Sequence, residues 1–315
     1  GDHVLEQQAL HLSGDGPTRY RATFTPPDAP VPVTGTVSLA ADGYPADNTL
    51  FFSMPRVKGL GVLITGSSNT RTTLRNNTVY VRHALKPGTA AATVFEPTVA
   101  TWDQFLATTP ARFSAVILSD PAALDPNVAT KLASFMQDGG VVLLFPGPKS
   151  RGLFNGLKHF PHLENVESAY AATPSRNTIP LDATGSSVDT RIRDVFTASL
   201  TVRPAARMRY TNLPSDAEVI FRYPDGSPFM FSIRIGKGAL YTASLSASRD
   251  WSDWPMSPSF VILLQEVLKS EIRKQLPTLS THVGGTLPVP APGAGQRLRV
   301  TITDPDGVLR AEEYT

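Results

Sequence analysis

Phe113-Ser-Ala-Val-Ile-Leu118, then Asp125-Pro-Asn-Val-Ala-Thr-Lys-Leu-Ala-Ser-Phe-Met-Gln-Asp-Gly-Gly140, then Val141-Val-Leu-Leu-Phe145: these three stretches decide the fold. The outer two are short apolar runs of strand length. In the middle one, Asp125 stands where a helix needs its cap and Pro126 occupies the first helical position. Val128, Leu132, Phe135 and Met136 then recur on one face until Gly139 and Gly140 stop the helix. A strand, a helix and a strand with that punctuation form a βαβ unit, so the two strands are expected to lie parallel in one sheet.

The same texture extends toward the N-terminus as far as Gly61. Gly61-Val-Leu-Ile-Thr65 and Ala92-Thr-Val-Phe95 are further candidate strands, and Thr101-Trp-Asp-Gln104 has the spacing of a capping box that opens a short helix. Toward the C-terminus, residues 151–217 are rich in polar and turn residues and are expected to form loops with short elements. Glu218-Val-Ile-Phe-Arg-Tyr223 and Phe229-Met-Phe-Ser-Ile-Arg-Ile235 flank an Asp225-Gly226 turn, and Gly236-Lys-Gly238 leads into Ala239-Leu-Tyr-Thr-Ala243. That arrangement predicts an antiparallel meander. A last helix starts at Ser257-Pro258 and buries Phe260, Leu263, Leu264, Val267 and Leu268.

The ends of the chain read differently. Arg19–Thr25, Val33–Leu39 and Asp47–Ser53 alternate between turn clusters and suggest part of a β-sandwich, with no helical period. After a Pro/Gly-rich connection, Arg297–Thr303 alternates strictly and is followed by an Asp304-Pro-Asp-Gly307 turn. The expected organisation is therefore a β-sandwich segment at 1–54, an α/β domain at 55–275, and a linker with a β tail at 276–315.

Composition removes several kinds of function. Hydrophobic residues at 41% and charged residues at 18%, spread along the chain, suit a globular protein over a disordered one. Lys and Arg total 29 against 27 Asp and Glu, with no run of like charges, so no nucleic-acid partner is expected. The apolar run Phe260–Leu264 is far short of the roughly 18 residues that span a bilayer, and any membrane contact is expected through segments outside these residues. With no cysteine, disulfides and thiolate metal sites are excluded.

Tyr44-Pro-Ala-Asp-Asn48, Gly61–Thr65 and Phe135-Met-Gln-Asp-Gly-Gly-Val-Val-Leu-Leu-Phe145 resemble the extracytoplasmic part of bacterial aerotolerance-type (Bat-like) membrane proteins. Gly236-Lys-Gly-Ala-Leu-Tyr241 and Asp250-Trp-Ser-Asp-Trp-Pro-Met-Ser-Pro-Ser-Phe260 resemble a later block of the same proteins. The resemblance runs in order through most of residues 1–275. It implies a β-sandwich module followed by a flavodoxin-like, class I glutamine amidotransferase-like domain, anchored by membrane helices elsewhere and exposed in the periplasm or outside the cytoplasm. Some members carry a von Willebrand A-type domain, but the metal-binding Asp-x-Ser-x-Ser of adhesion-type domains is absent here.

In class I amidotransferases a cysteine sits on a tight turn after a strand. Matching Val141–Gly147 to that strand and elbow places Phe145 where the cysteine would stand, with Pro146 next. The family's His-x-Glu pair comes much later than His162-Leu-Glu164, which is read as coincidence. No Gly-x-Ser-x-Gly, Walker loop, Gly-x-Gly-x-x-Gly or His-Glu-x-x-His occurs. His159 and His162 read as surface residues and His83 as a structural or exposed helix residue, so neither a metal nor another cofactor is expected. In a doubly wound sheet, ligands bind at the carboxyl edge. Ser67, Asn69, Asp120 and Lys149, in the loops after three successive strands, are thus the candidate ligand-binding residues. Trp251 and Trp254 suggest either sugar stacking or packing of the last helix on the sheet, and packing is the simpler reading. The function expected is a non-catalytic scaffold or interaction module with protein partners in the envelope. The alternatives are a ligand-binding module, with carbohydrate among its candidates, and an enzyme with an unrecognised nucleophile.

Overall fold

The computed structural model describes residues 33–40, 48–54, 59–66, 77–88, 94–121, 124–152, 154–173, 177–183, 201–275, 298–303 and 309–314, with Val4, Gln7 and Ala9. The candidate strand Arg19–Thr25 lies outside them. The chain divides into two compact units, one of Gly1–Arg56 with Pro277–Thr315, the other Val57–Leu276.

In the first unit, β1 (Val33–Ser38) pairs antiparallel with β2 (Thr49–Met54). The larger unit opens with β3 (Leu60–Gly66), α1 (Asn77–Leu85), β4 (Phe95–Ala100), α2 (Trp102–Ala107), β5 (Ala115–Ser119), α3 (Pro126–Gln137) and β6 (Val141–Phe145). It continues with β7 (Glu167–Ala172), β8 (Ile179–Pro180), β9 (Asp182–Ala183), β10 (Thr201–Val202), β11 (Ala206–Thr211), β12 (Glu218–Arg222), β13 (Pro228–Ile235), β14 (Gly238–Ala243) and α4 (Pro258–Gln275). Back in the first unit, β15 (Leu298–Thr303) and β16 (Leu309–Tyr314) form a second antiparallel hairpin.

An eight-stranded sheet in the order β4-β3-β5-β6-β14-β13-β12-β9 organises the larger unit. Its first five strands are mutually parallel, as the βαβ punctuation requires, and β14, β13, β12 and β9 then run antiparallel in turn. The unit is therefore a mixed α/β domain around a large, mostly parallel sheet. Both faces are covered. Val62, Ile64, Ile117 and Leu143 point to the side of α1 and α4, while Leu63, Val116, Leu118, Val142 and Leu144 point to the side of α2 and α3. That two-sided burial explains why these strands read as continuous apolar runs instead of alternating.

The helix starts follow their sequence signals closely. The Asp125 carboxylate accepts the Val128 N–H at 2.9 Å, Thr101 and Gln104 complete the reciprocal capping box, and the Ser257 hydroxyl accepts the Ser259 N–H at 3.3 Å. Each removes a backbone donor that a helix start leaves unpaired.

One expectation shifts and another gains detail. Of the strand expected at Ala92–Phe95, residues 92 and 93 lie outside the described residues, and the strand described there runs Phe95–Ala100 and forms the outer edge of the sheet. An edge strand tolerates Pro97 because every second N–H faces away from the ladder, so the proline does not break the strand. Among the described residues of 151–217, expected as loops with short elements, β7 and β11 pair over six residues each into an antiparallel ribbon. Its inner face, carrying Met208 and Tyr210, closes the α3 side of the core.

Candidate functional site

The chain leaves β3 for β4 on one side and returns through α2 to β5 on the other, so the carboxyl ends of β3 and β5 part at a topological switch point. Such points are where open α/β sheets commonly hold ligands. Here a side chain from α1 reaches the end of β5. Asn77, at the start of α1, donates from Nδ2 to the Ser119 carbonyl at 3.0 Å. Gly66 lies under this bridge, where an added Cβ would meet Asn77 Oδ1 at 2.7 Å and the Ser119 carbonyl at 2.8 Å. Only glycine fits so close a crossing. Among the described residues, Asn77 Oδ1 and Ser119 Oγ are buried without hydrogen-bond partners, as is Thr65 Oγ1 one residue before Gly66.

Asp120 follows at the end of β5 with a left-handed φ of 54°, a conformation that Asp and Asn adopt more readily than other side chains. Its Oδ1 accepts the Lys149 N–H at 2.9 Å, the Ser150 N–H at 3.1 Å and the Ser150 hydroxyl at 3.1 Å. These donors open the 3₁₀ turn Pro148–Gly152, so a carboxylate from a neighbouring strand caps it. The approach is close: a Cβ on Gly147 would sit 2.4 Å from Asp120 Cγ. Burial pushes the Asp120 carboxyl above its ordinary range, against the opposing effect of the Ser150 and Lys149 donors.

The structure thus brings Asp120 and Lys149 together, Lys149 through its backbone while its side chain is exposed. Ser67 and Asn69 lie outside the described residues. Asn77 and Ser119 were missed as participants, although a polar pair at the start of α1 was visible as Asn77-Thr78.

At the strand end where a nucleophile would stand, Phe145 is 1% exposed. Its ring lies 5.9 Å from that of Phe260 and 6.3 Å from that of Trp254, and the space these rings enclose with Leu143 and Met230 admits no water. The Phe145 carbonyl accepts the Asp120 N–H at 2.8 Å. Ser150 is the nearby hydroxyl, with Asp120 and the Pro121 carbonyl as its partners. His162 lies elsewhere, exposed, donating its backbone N–H to Glu164 and placing Nδ1 3.7 Å from Asp216. His83 and His159 are exposed. Among the described residues no group of three side chains is placed to hold a metal.

Both tryptophans are buried, Trp251 at 1% and Trp254 at 2%, so neither offers an open face for sugar stacking. They serve different cores. Trp254 packs edge-on against Phe229 and Phe260, each at 4.9 Å, on the α4 side. Trp251 meets Tyr170 at 5.6 Å on the α3 side, against the ribbon and not the last helix.

A second concavity, of about 950 Å³, opens between the β7–β11 ribbon and the β12–β13 hairpin. Tyr210, Val219 and Pro228 contribute apolar floor, and Arg209, Arg222, Asp225 and Glu167 contribute charge. Arg207 and Arg209 both donate to Asp225 Oδ2, while Ser227 donates its N–H and hydroxyl to Oδ1. Arg207 also stacks at 4.0 Å over the Tyr223 ring. Burial raises the Asp225 carboxyl, but Ser227 and Arg207 outweigh it and hold the group at about 2. A carboxylate depressed in the folded state adds stability above its unfolded pKa and loses it as pH falls through the folded value. Unfolding midpoints measured across acid pH should therefore drop between about pH 4 and 2. Asp225→Asn should flatten that drop, and an unchanged profile would mean that the clamp contributes nothing.

No family model and no curated protein matches the sequence. Among solved structures, the chain is similar to the cytoplasmic protein STM3548 from Salmonella typhimurium at 12% identity and a TM-score of 0.49, covering 67% of this chain and 98% of that one. It is similar to the cytoplasmic protein STM1381 from Salmonella typhimurium LT2 at 11% identity and a TM-score of 0.47, covering 76% and 96%. A β-galactosidase from Bacillus circulans sp. alkalophilus is similar at 13% identity and a TM-score of 0.45, over 68% of this chain but 31% of the enzyme.

Proposed function

We propose that this protein is a non-catalytic scaffold or interaction module built on a flavodoxin-like, glutamine amidotransferase-like domain, exposed outside the cytoplasm in a membrane-anchored bacterial protein. Numbered by their order in the chain, the parallel strands follow 2-1-3-4-5, the flavodoxin-like order, which supports the fold assignment. The location rests on the sequence resemblance to Bat-like proteins.

One observation carries the functional reading: Phe145 fills the strand end beneath Trp254 and Phe260. Amidotransferase chemistry needs a nucleophile with a nearby base, attacking the glutamine amide to form a thioester. A phenyl ring has no lone pair or ionisable proton for that attack. Pro146 removes a backbone N–H just after the elbow, the type of donor an oxyanion hole uses.

The test is ammonia release from glutamine by the purified chain. Release at the level of the buffer control is expected. Release above it that Ser150→Ala abolishes would overturn the reading.

A further inference from the structure

We infer that the first turn of α1 is a strap over the switch point: Asn77 releases the Ser119 carbonyl, the turn lifts while the far end of the helix stays packed, and the carboxyl ends of β3 and β5 are uncovered. This goes beyond the interaction-module reading and does not depend on it. Three features carry it.

The first is what the closed arrangement leaves unpaired. Ser119 follows Ile117 by two residues on β5 and shares its face of the sheet, the side of α1. The bond from Asn77 Nδ2 to the Ser119 carbonyl holds the crossing. Asn77 Oδ1 and Ser119 Oγ, from residues 2% and 0% exposed, are nonetheless buried without partners among the described residues. A buried polar atom without a partner costs more than a neutral hydrogen bond contributes, and lifting the turn gives both atoms water. The closed turn is therefore held against a polar penalty at the place where it is bonded.

The second feature is the uneven anchorage of the helix. Toward its end Val81, Ala84 and Leu85 enter the core shared with α4, and Gln265 of α4 donates to the Ala84 carbonyl at 2.7 Å. Arg82 and His83 stand in the last turn, where cations complement the helix dipole, while the first turn has no acidic residue. Apolar packing holds one end and a polar crossing the other, so the start of α1 is the end that opens at the lower free energy. The third feature is Gly66. An added Cβ there would meet Asn77 Oδ1 at 2.7 Å and Thr78 Cγ2 at 2.8 Å, so both residues rest on a position where glycine offers no side chain to interlock with the strap.

The chain has no cysteine, so a single introduced thiol reports opening through its rate of labelling by a chromogenic disulfide reagent under native conditions. Thr78→Cys and the nearly isosteric Ser119→Cys place that thiol on either side of the crossing. Ser232→Cys, at a position 5% exposed within β13, reads global unfolding. Both crossing reporters should label at least about a hundredfold faster than Ser232→Cys, because local opening outpaces global unfolding. Low urea should speed labelling at Ser232→Cys steeply and at the crossing hardly at all, since the strap exposes little surface. Adding Ser119→Ala to Thr78→Cys removes a hydroxyl that gains water only on opening, and should slow labelling about fivefold or more. Labelling at the crossing as slow as at Ser232→Cys, an equally steep response to urea, or no slowing by Ser119→Ala would overturn the proposal. Each of these outcomes leaves the glutaminase result untouched, so the two readings fail separately.

Discussion

Trp254→Ala is expected to destabilise the larger unit by about 3–5 kcal/mol, the largest single-residue effect foreseen for this protein. The indole is 2% exposed and touches Phe145, Phe229 and Phe260, which belong to β6, β13 and α4. Its removal leaves a cavity walled by three aromatic rings on separate elements, and such a cavity collapses only by moving a strand or the helix. Trp254→Phe should cost much less, because most of the apolar volume remains and the buried Nε1, which has no hydrogen-bond partner among the described residues, disappears. Chemical denaturation of the three proteins checks the order. Equal stability of the alanine variant and the parent would mean that the aromatic cluster is not the keystone of the α4-side core.

Asp120→Ala is expected to cost roughly 1.5–3 kcal/mol, since it strands the Lys149 and Ser150 donors that a charged acceptor now satisfies. Alanine is also less comfortable than aspartate at a φ of 54°. Asp120→Asn should be nearly neutral, because the amide oxygen can accept the same bonds and asparagine tolerates the left-handed backbone. The pair of variants separates two roles for the residue. A cap needs only the acceptor, whereas a chemical role needs the ionisable carboxyl. Denaturation midpoints read the first. A loss of any function of the intact protein in Asp120→Asn, at unchanged stability, would show that the carboxylate does more than cap the turn.

Much of the sheet was legible before any coordinates. Asp125, Pro126 and Gly139-Gly140 delimit α3 because capping and stopping are settled within a few residues of the helix end. The runs Val62–Ile64 and Val141–Phe145 had to be interior strands because nothing in them can face water. The ribbon of β7 and β11 was not legible. Glu167-Ser-Ala-Tyr-Ala-Ala172 has three alanines and little strand preference of its own, and its partner begins at Ala206. Its pairing is stabilised by burial of Met208 and Tyr210, which depends on the finished sheet.

The candidate site divides along the same line. The sequence alone determined the absence of a thiol, the phenylalanine at the strand end, and the placement of Asp120 and Lys149 in carboxyl-edge loops, because residue identity and strand order along the chain require no folding to read. Tertiary structure alone decided that Asp120 is committed to the turn at Pro148–Gly152, that Asn77 joins the start of α1 to the end of β5, and that the two tryptophans serve opposite faces. It also decided that Arg207, Arg209 and Asp225 meet beside a cleft. Each of these contacts joins residues far apart in sequence, and their distance is fixed by which strands are neighbours and which face each residue occupies. Neither quantity is encoded in any short stretch of the chain.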